Sequence, residues 1–329
     1  MPARGIEILE AFICIAQKNS VYFIWGNAGH RQTGKEIMEG RKRRWGDRKD
    51  GRLLRTREPM STVETFILVD RTGATNYIQD KIEITKAEEY IRRKRKEGLG
   101  GFGLMHVMIA AYVRVVSQMP AVNRFVSGQR VYARNRIEVN IDIKKEMTLE
   151  APNTCVKIIL SPEDTAEDVY RKMKAVIDHE RVGESDSDFD GVAATLAKFP
   201  KLFFKFSIWF LKLLDYFGRL PKSLLDLSPF HGSFFITSMG SLGIPPIFHH
   251  LYNFGNVPVF CAIGPKRTEY EIDKNGEIVK KKYMDYTITT DERIVDGYYY
   301  ATAFRMMKRF FKNPDQLDDP PEKIVEDIN

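Results

Sequence analysis

The stretch of this chain best placed to do chemistry is Asp291-Glu292-Arg293-Ile294-Val295-Asp296-Gly297. It follows a strand-like run over 283–289 and precedes a helix-like run over 298–311. Charged side chains and a turn-permitting glycine at a strand-to-helix junction put polar groups at the end of a sheet, where clefts form. A glutamate carboxylate, ordinarily near pKa ~4.3, is about two units less basic than an imidazole near ~6.5, a deficit of ~3 kcal/mol in removing a proton. Burial or neighbouring carboxylates recover part of that deficit, and an adjacent arginine opposes the recovery. Among the six histidines, His231 precedes a second strand-like run, 233–239, and His249-His250 follow it. His106 opens an apolar helical pattern and reads as a core residue. Neither the histidines nor Cys14, Cys155 and Cys261, far apart and in no CxxC pair, have zinc-site spacing, so no metal is expected.

The elements that must position these groups are short and mixed. Thr65–Asp70 reads as a strand. Thr85 and Glu88 have the spacing of a capping box, opening a helix toward Lys96 that Gly98–Gly103 breaks. From His106 to Met119, Val107, Ile109, Ala110, Val113 and Val116 recur at helical spacing, and Pro120 ends the run. Asn135–Lys145 alternates, with Ile137, Val139, Ile141 and Ile143 on one face, which predicts a half-buried strand; Cys155–Leu160 predicts another. Ser161-Pro162-Glu163-Asp164 predicts a capped helix start running to about His179. An acidic linker at Glu184–Asp190 separates this from an apolar helical tract, a glycine-rich segment and two further strands. With no repeat and no strict alternation, the expectation is α+β, an α/β two-layer sandwich on one mixed sheet.

Residues 41–57 carry nine basic side chains against Asp47 and Asp50, which accounts for the whole formal charge of +7. Such a block can grip phosphates; with no nucleic-acid fold behind it, it reads as a solvated arm and nucleic acid is set aside as a partner. The apolar pattern before about Met38 is irregular, so 1–40 is expected to be a poorly packed extension, 41–318 the domain, and 319–329 a tail. No clean signal-peptide core and no bilayer-length apolar run are present, and odd, scattered cysteines fit a reducing compartment; the expectation is cytoplasmic. Pro200–Phe217 is aromatic, with Lys198, Lys201, Lys205, Lys212 and Arg219 on one stripe. It suits an oligomer contact or the roof of an acyl tunnel, with a membrane surface as the alternative.

Four motifs in order resemble the catalytic domain of the acyltransferases of 2-oxo acid dehydrogenase complexes, and more loosely chloramphenicol acetyltransferase. Pro120-Ala121-Val122-Asn123 matches the family's P-x-hydrophobic-N step. Residues 233–240, SFFITSMG, match its TFTISNLG strand. Ile263-Gly264 before a basic pair matches its xxGxxxxR strand, and DERIVDG with Asn313-Pro314 matches DHRxxDG and the closing helix. The resemblance covers about Arg52 to Pro314. It implies a CoA-dependent acyltransferase fold and acyl transfer between CoA and a small thiol, hydroxyl or amine. It further implies a homotrimer, or an assembly of trimers, with active sites between subunits. Glu292 stands at the family's catalytic base, where relatives have histidine. Thr237, with Ser238 beside it, stands at the hydroxyl that stabilises the oxyanion, a donor worth ~3 kcal/mol. Asp296 stands at the structural aspartate that pairs with an arginine, Arg293 is expected to pair with a nearby acid, and His231 is the best substitute base. Acyl-CoA is the expected substrate, with no residue assigned to it and no lipoyl group on this chain. The alternative is a catalytically inactive trimeric scaffold or CoA-binding relative, since the motif histidine is replaced.

Overall fold

The structure, a computed structural model, describes residues 43–144, 153–182 and 200–329. The extension expected over 1–40, Lys198 and the acidic linker at 184–190 lie outside the described residues. Six strands form one mixed sheet in the order β2 (Thr75–Glu83), β9 (Ile278–Asp291), β8 (Val259–Ile272), β7 (Phe234–Ser238), β5 (Ile137–Lys144), β6 (Asn153–Leu160). β5, β7 and β8 run parallel and the other neighbours antiparallel, so a mixed sheet is what the sequence led one to expect. Side chains of α2 (Thr85–Lys96), α3 (Leu104–Gln118), α4 (Ala166–Val182) and α7 (Gly297–Lys312) share one apolar core with the sheet, the two-layer arrangement. A second, three-stranded antiparallel sheet, β1 (Gly51–Leu53), β4 (Arg130–Arg134) and β3 (Arg124–Ser127), was not anticipated. Its own small core reaches Ile294, Val295 and Tyr300, so this sheet braces the DERIVDG turn.

Several local expectations are corrected. The strand expected at Thr65–Asp70 is not formed: its first three residues end a helix, α1 (Pro59–Ile67), and the rest is irregular. Pro59 sits where a missing N–H costs nothing, and the Thr65 hydroxyl donates to the Thr62 and Gln129 carbonyls. α2 begins where predicted, but Thr85 caps nothing in its own helix. Its hydroxyl accepts from the Lys282 N–H of β9, and Glu88 pairs with Lys282 and Lys266. α4 starts later than Ser161-Pro162 suggested. The reciprocal cap is Thr165 with Asp168, each accepting the other's backbone N–H at 3.2 and 3.0 Å. β5 is buried on both faces: Glu138 and Asn140, on the supposed outer face, are fully covered. Glu138 is met there by Arg136 at 2.6 Å, and the Asn140 amide donates to the Pro229 carbonyl.

The basic segment is no solvated arm. Arg48 is 3% exposed and pairs with Asp50 and Asp215, while Arg52 binds the Asp327 carbonyl and Arg55 binds Asp47. The last residues follow the same surface, with Val325 donating to the Ser117 carbonyl and Asp327 held by Arg124. A short segment rich in basic residues looks solvated in sequence because Asp215, which closes the Arg48 cluster, arrives from 167 residues away.

His106 is the core residue its position implied. Its Nδ1 accepts the Gly103 N–H at 3.1 Å and its ring stacks on Phe102. Burial pushes the imidazole down to about 4. An unfolded histidine takes up its proton near pH ~6.5, so the unfolded chain is favoured as pH falls from there toward about 4. Stability is expected to drop across that window by on the order of 3 kcal/mol. Urea unfolding of the wild type and His106→Gln at pH 7 and pH 5 checks this: the drop between the two pH values shrinks in the variant.

Candidate active site

The register of β7, β8 and β9 fixes where the motif residues lie. Thr237 pairs with Ala262 of β8, and Val259 of β8 pairs with Thr290 of β9. The Asp291 N–H donates to the Pro258 carbonyl, which puts Glu292 level with residue 257. Thr237 and Glu292 are therefore about five residues apart along the strands and two strands apart across them, ~17 Å by ~10 Å. Within one chain Thr237 and Ser238 lie at the C-terminal end of β7, whereas Glu292, Asp296 and His231 lie beyond the level of its N-terminal end.

At the Thr237 end, β7 turns sharply into Gly240. A Cβ there would lie 2.9 Å from the Gly264 carbonyl oxygen, so glycine lets the two chains pass. Thr237 is buried and Ser238 half-buried. Leu242, Ile244, Ile247 and Phe248 follow and are exposed.

The other end is built on buried charge. Asp291 is wholly buried and accepts from Arg293 Nε and Nη2 at 2.8 and 2.7 Å, and from Arg71 Nε at 3.3 Å. The remaining donors of both guanidiniums go to carbonyls: Arg71 to Tyr252, Gly255 and Val126, Arg293 to Leu68 and Val69. These arginines each make four such bonds and tie the end of α1, β3 and the 252–255 loop to the motif. Arg293 thus finds its acid. Asp296, in contrast, is exposed and has no arginine partner among the described residues. It caps α7, accepting the Tyr299 N–H at 2.7 Å. The arginine-paired aspartate of this loop is Asp291, which the sequence reading passed over because the motif match pointed five residues on.

Glu292 is half-exposed, its N–H bound to the Ala74 carbonyl and its carboxylate beside Glu64 of α1. Burial, and then the Glu292 charge, raise the Glu64 carboxyl. Met60, Val63, Ile67, Val69 and Tyr298 around it are exposed.

His231 is sealed inside. Nδ1 lies 2.9 Å from the Ser228 hydroxyl and Nε2 3.5 Å from Asp215, with Phe254 edge-on. Burial lowers its imidazole, Asp215 opposing. Burial also pushes the Asp215 carboxyl up, but bonding and charge from His231 and Arg48 more than reverse this. With the imidazole neutral at neutral pH, Arg48 is the cation that keeps Asp215 ionised. A cavity of about 240 Å³, lined among others by Arg71, Asp215, Lys212 and Arg293, adjoins this cluster without His231 in its wall. His249 stacks on Phe260, and no group of metal-ligand side chains occurs among the described residues.

Residues 219–318, which include His231, Thr237, Ser238 and the 291–297 turn but not the Pro120–Asn123 step, match the family model of the 2-oxoacid dehydrogenases acyltransferase (catalytic domain). The chain resembles the dehydrogenase-complex acyltransferases. Over 87 residues it is 34% identical to the dihydrolipoyllysine-residue acetyltransferase component of the pyruvate dehydrogenase complex of Rickettsia prowazekii, and 33% identical to that of Rickettsia typhi. Each match covers 25% of this chain and only 20% of the relative. The fold extends further: a probable dihydrolipoamide acetyltransferase from Listeria monocytogenes superposes with a TM-score of 0.50 at 14% identity, over 79% of this chain and 95% of that one. The α/β two-layer fold with its mixed sheet is thus the acyltransferase one expected from the motifs, shared well beyond the matched residues.

Proposed function

We propose that this protein is a CoA-dependent acyltransferase whose active site is assembled between subunits of a closed ring, a trimer. The observation that carries the reading is the separation of Thr237 from Glu292. Thr237 closes β7 and Glu292 lies about five residues back along the strands and two strands across, each half-exposed or next to half-exposed groups, amid exposed apolar side chains. An interface that joins the Thr237 surface of one chain to the Glu292 surface of its neighbour is head-to-tail, and such a contact makes a ring where the rotation closes, here after three subunits. It brings Glu292 of one subunit to Thr237 of the next and covers both apolar patches. Glu292 then takes the proton of a small thiol, hydroxyl or amine as that atom attacks the acyl thioester. The Thr237 hydroxyl donates to the oxyanion of the tetrahedral intermediate, which collapses with CoA thiolate leaving. Asp291 and its two arginines hold the loop, and Asp296 starts the helix behind it.

The test is subunit complementation. Thr237→Val and Glu292→Gln are each expected to lose acyl transfer from acetyl-CoA to dihydrolipoamide, read as release of free CoA thiol. Unfolded and refolded together in equal amounts, they recover activity, because some junctions pair an intact Thr237 with an intact Glu292. Random mixing restores about a quarter of the wild-type sites. Loss in both variants with no recovery on mixing rules out a shared site.

A further inference from the structure

The helix α5 (Lys201–Tyr216) carries a face that nothing among the described residues covers. Leu202, Phe206, Trp209, Leu213 and Tyr216 recur at steps of four, three, four and three, which is one stripe of a helix, and all are exposed, Leu202 by 81%. Lys201, Lys205 and Lys212 each precede a stripe residue by one position, so at 100° per residue they line one flank of it. The opposite side, with Phe203, Ser207, Phe210 and Leu214, is half-buried. At its C-terminal end the helix is anchored by Asp215, held at 2.6 Å by Arg48, and by Gly128, whose φ of +56° brings the β3–β4 turn against the Tyr216 carbonyl. The helix is therefore fixed with its apolar stripe outward.

The stripe runs into a cavity of about 1100 Å³ whose walls include Tyr216, Phe217, Arg43, Arg44, Arg130 and Arg219. Asp47 is the one carboxylate in that wall, and it is already bonded to Arg55. Apolar side chains flanked by lysines and continuous with a basic cleft match one kind of occupant in both respects. A bilayer rich in anionic lipid offers acyl chains to the stripe and phosphates to the cations. A second copy fits less well, because pairing two stripes face to face in the antiparallel sense about a two-fold axis sets rows of lysine against each other. Among the described residues no helix is long and apolar enough to cross the membrane, so contact is with the surface.

We propose that α5 and the adjoining cleft dock this protein on an anionic bilayer surface, with Trp209 and Phe206 in the headgroup region and the cleft arginines on lipid phosphates. Lysine stems lie along the stripe while their ammonium groups stay in water. The proposal is independent of the acyltransferase reading.

Flotation with vesicles tests it on the full chain. Vesicles of phosphatidylglycerol with phosphatidylcholine are expected to carry the protein upward, and phosphatidylcholine alone to carry at least tenfold less. Each of Lys201→Gln, Lys205→Gln and Lys212→Gln weakens the partition about fivefold at low salt, and 0.5 M salt weakens all of them. Phe206→Ser with Trp209→Ser abolishes flotation while far-UV dichroism is unchanged, the replaced side chains being exposed. Inorganic phosphate at equal ionic strength to the control salt does not compete. Three results overturn the proposal: no flotation with either vesicle, full competition by inorganic phosphate, or a drop in mass by light scattering in the double serine variant without vesicle binding, which makes the stripe a contact between copies.

Discussion

Asp291→Asn is expected to be the most destabilising single-atom change in this protein, lowering stability by about 3–5 kcal/mol and the midpoint of thermal unfolding by roughly 10 °C. The carboxylate is wholly buried and is the only acid paired with Arg71 and Arg293 among the described residues. Both guanidiniums are themselves buried, 6% and 2% exposed. An asparagine keeps the size and one acceptor but leaves two cations without a counter-charge in a low-dielectric interior. Because Arg71 and Arg293 also hold carbonyls of Val126, Gly255 and Leu68, their release loosens β3, the 252–255 loop and the end of α1 together. Asp296→Asn is the contrast, since asparagine caps a helix as well as aspartate does and the residue is exposed, so its effect stays well below 1 kcal/mol. Urea titrations of both variants decide the matter. Equal midpoints for the two would mean that the buried pairings are not what fixes this turn.

That contrast also marks what could be read from residues alone. Periodicity found α3, β5, β6 and α7 because apolar spacing is local, and four ordered motifs found the fold because motif order is a property of the chain. What escaped was whatever depends on partners distant in sequence. Arg48 reads as solvated until Asp215 meets it, Thr85 reads as a cap until β9 supplies Lys282, and Asp291 reads as one more loop acid until Arg71 arrives from 220 residues away. The sheet β1-β4-β3 was missed for a related reason: strands of three to five residues are too short for alternation to declare itself. For the candidate site, the motif residues could be marked along the chain, but their separation could not. Strand register is what sets Thr237 and Glu292 about five residues and two strands apart, and register is set by pairings that no single segment encodes.

Glu292→Gln is expected to lower kcat for acyl transfer by 10²–10⁴-fold, the range for loss of a positioned general base, with KM for the acyl-CoA little changed. The amide is isosteric and the backbone N–H of Glu292 still reaches the Ala74 carbonyl, so the turn keeps its shape and only the proton acceptor goes. Glu292→His makes the complementary case. An imidazole is about two units more basic than a carboxylate, so the variant is expected to exceed the wild type near pH 8 and to show an acid limb near ~6.5 in kcat/KM that an unaltered chain does not inherit from this position. Glu64, whose carboxyl is raised by burial and by the Glu292 charge, provides an internal check. Removing that charge relieves Glu64, so its titration moves down in both variants, measurable by NMR of the side-chain carboxyl, whether or not the enzyme turns over. If Glu64 responds and calorimetry shows CoA bound while Glu292→Gln keeps the wild-type rate, the carboxylate is not the base. If neither the wild type nor Glu292→His transfers acyl groups despite bound CoA, the replacement of imidazole by carboxylate marks a ligand-binding relative instead of an enzyme.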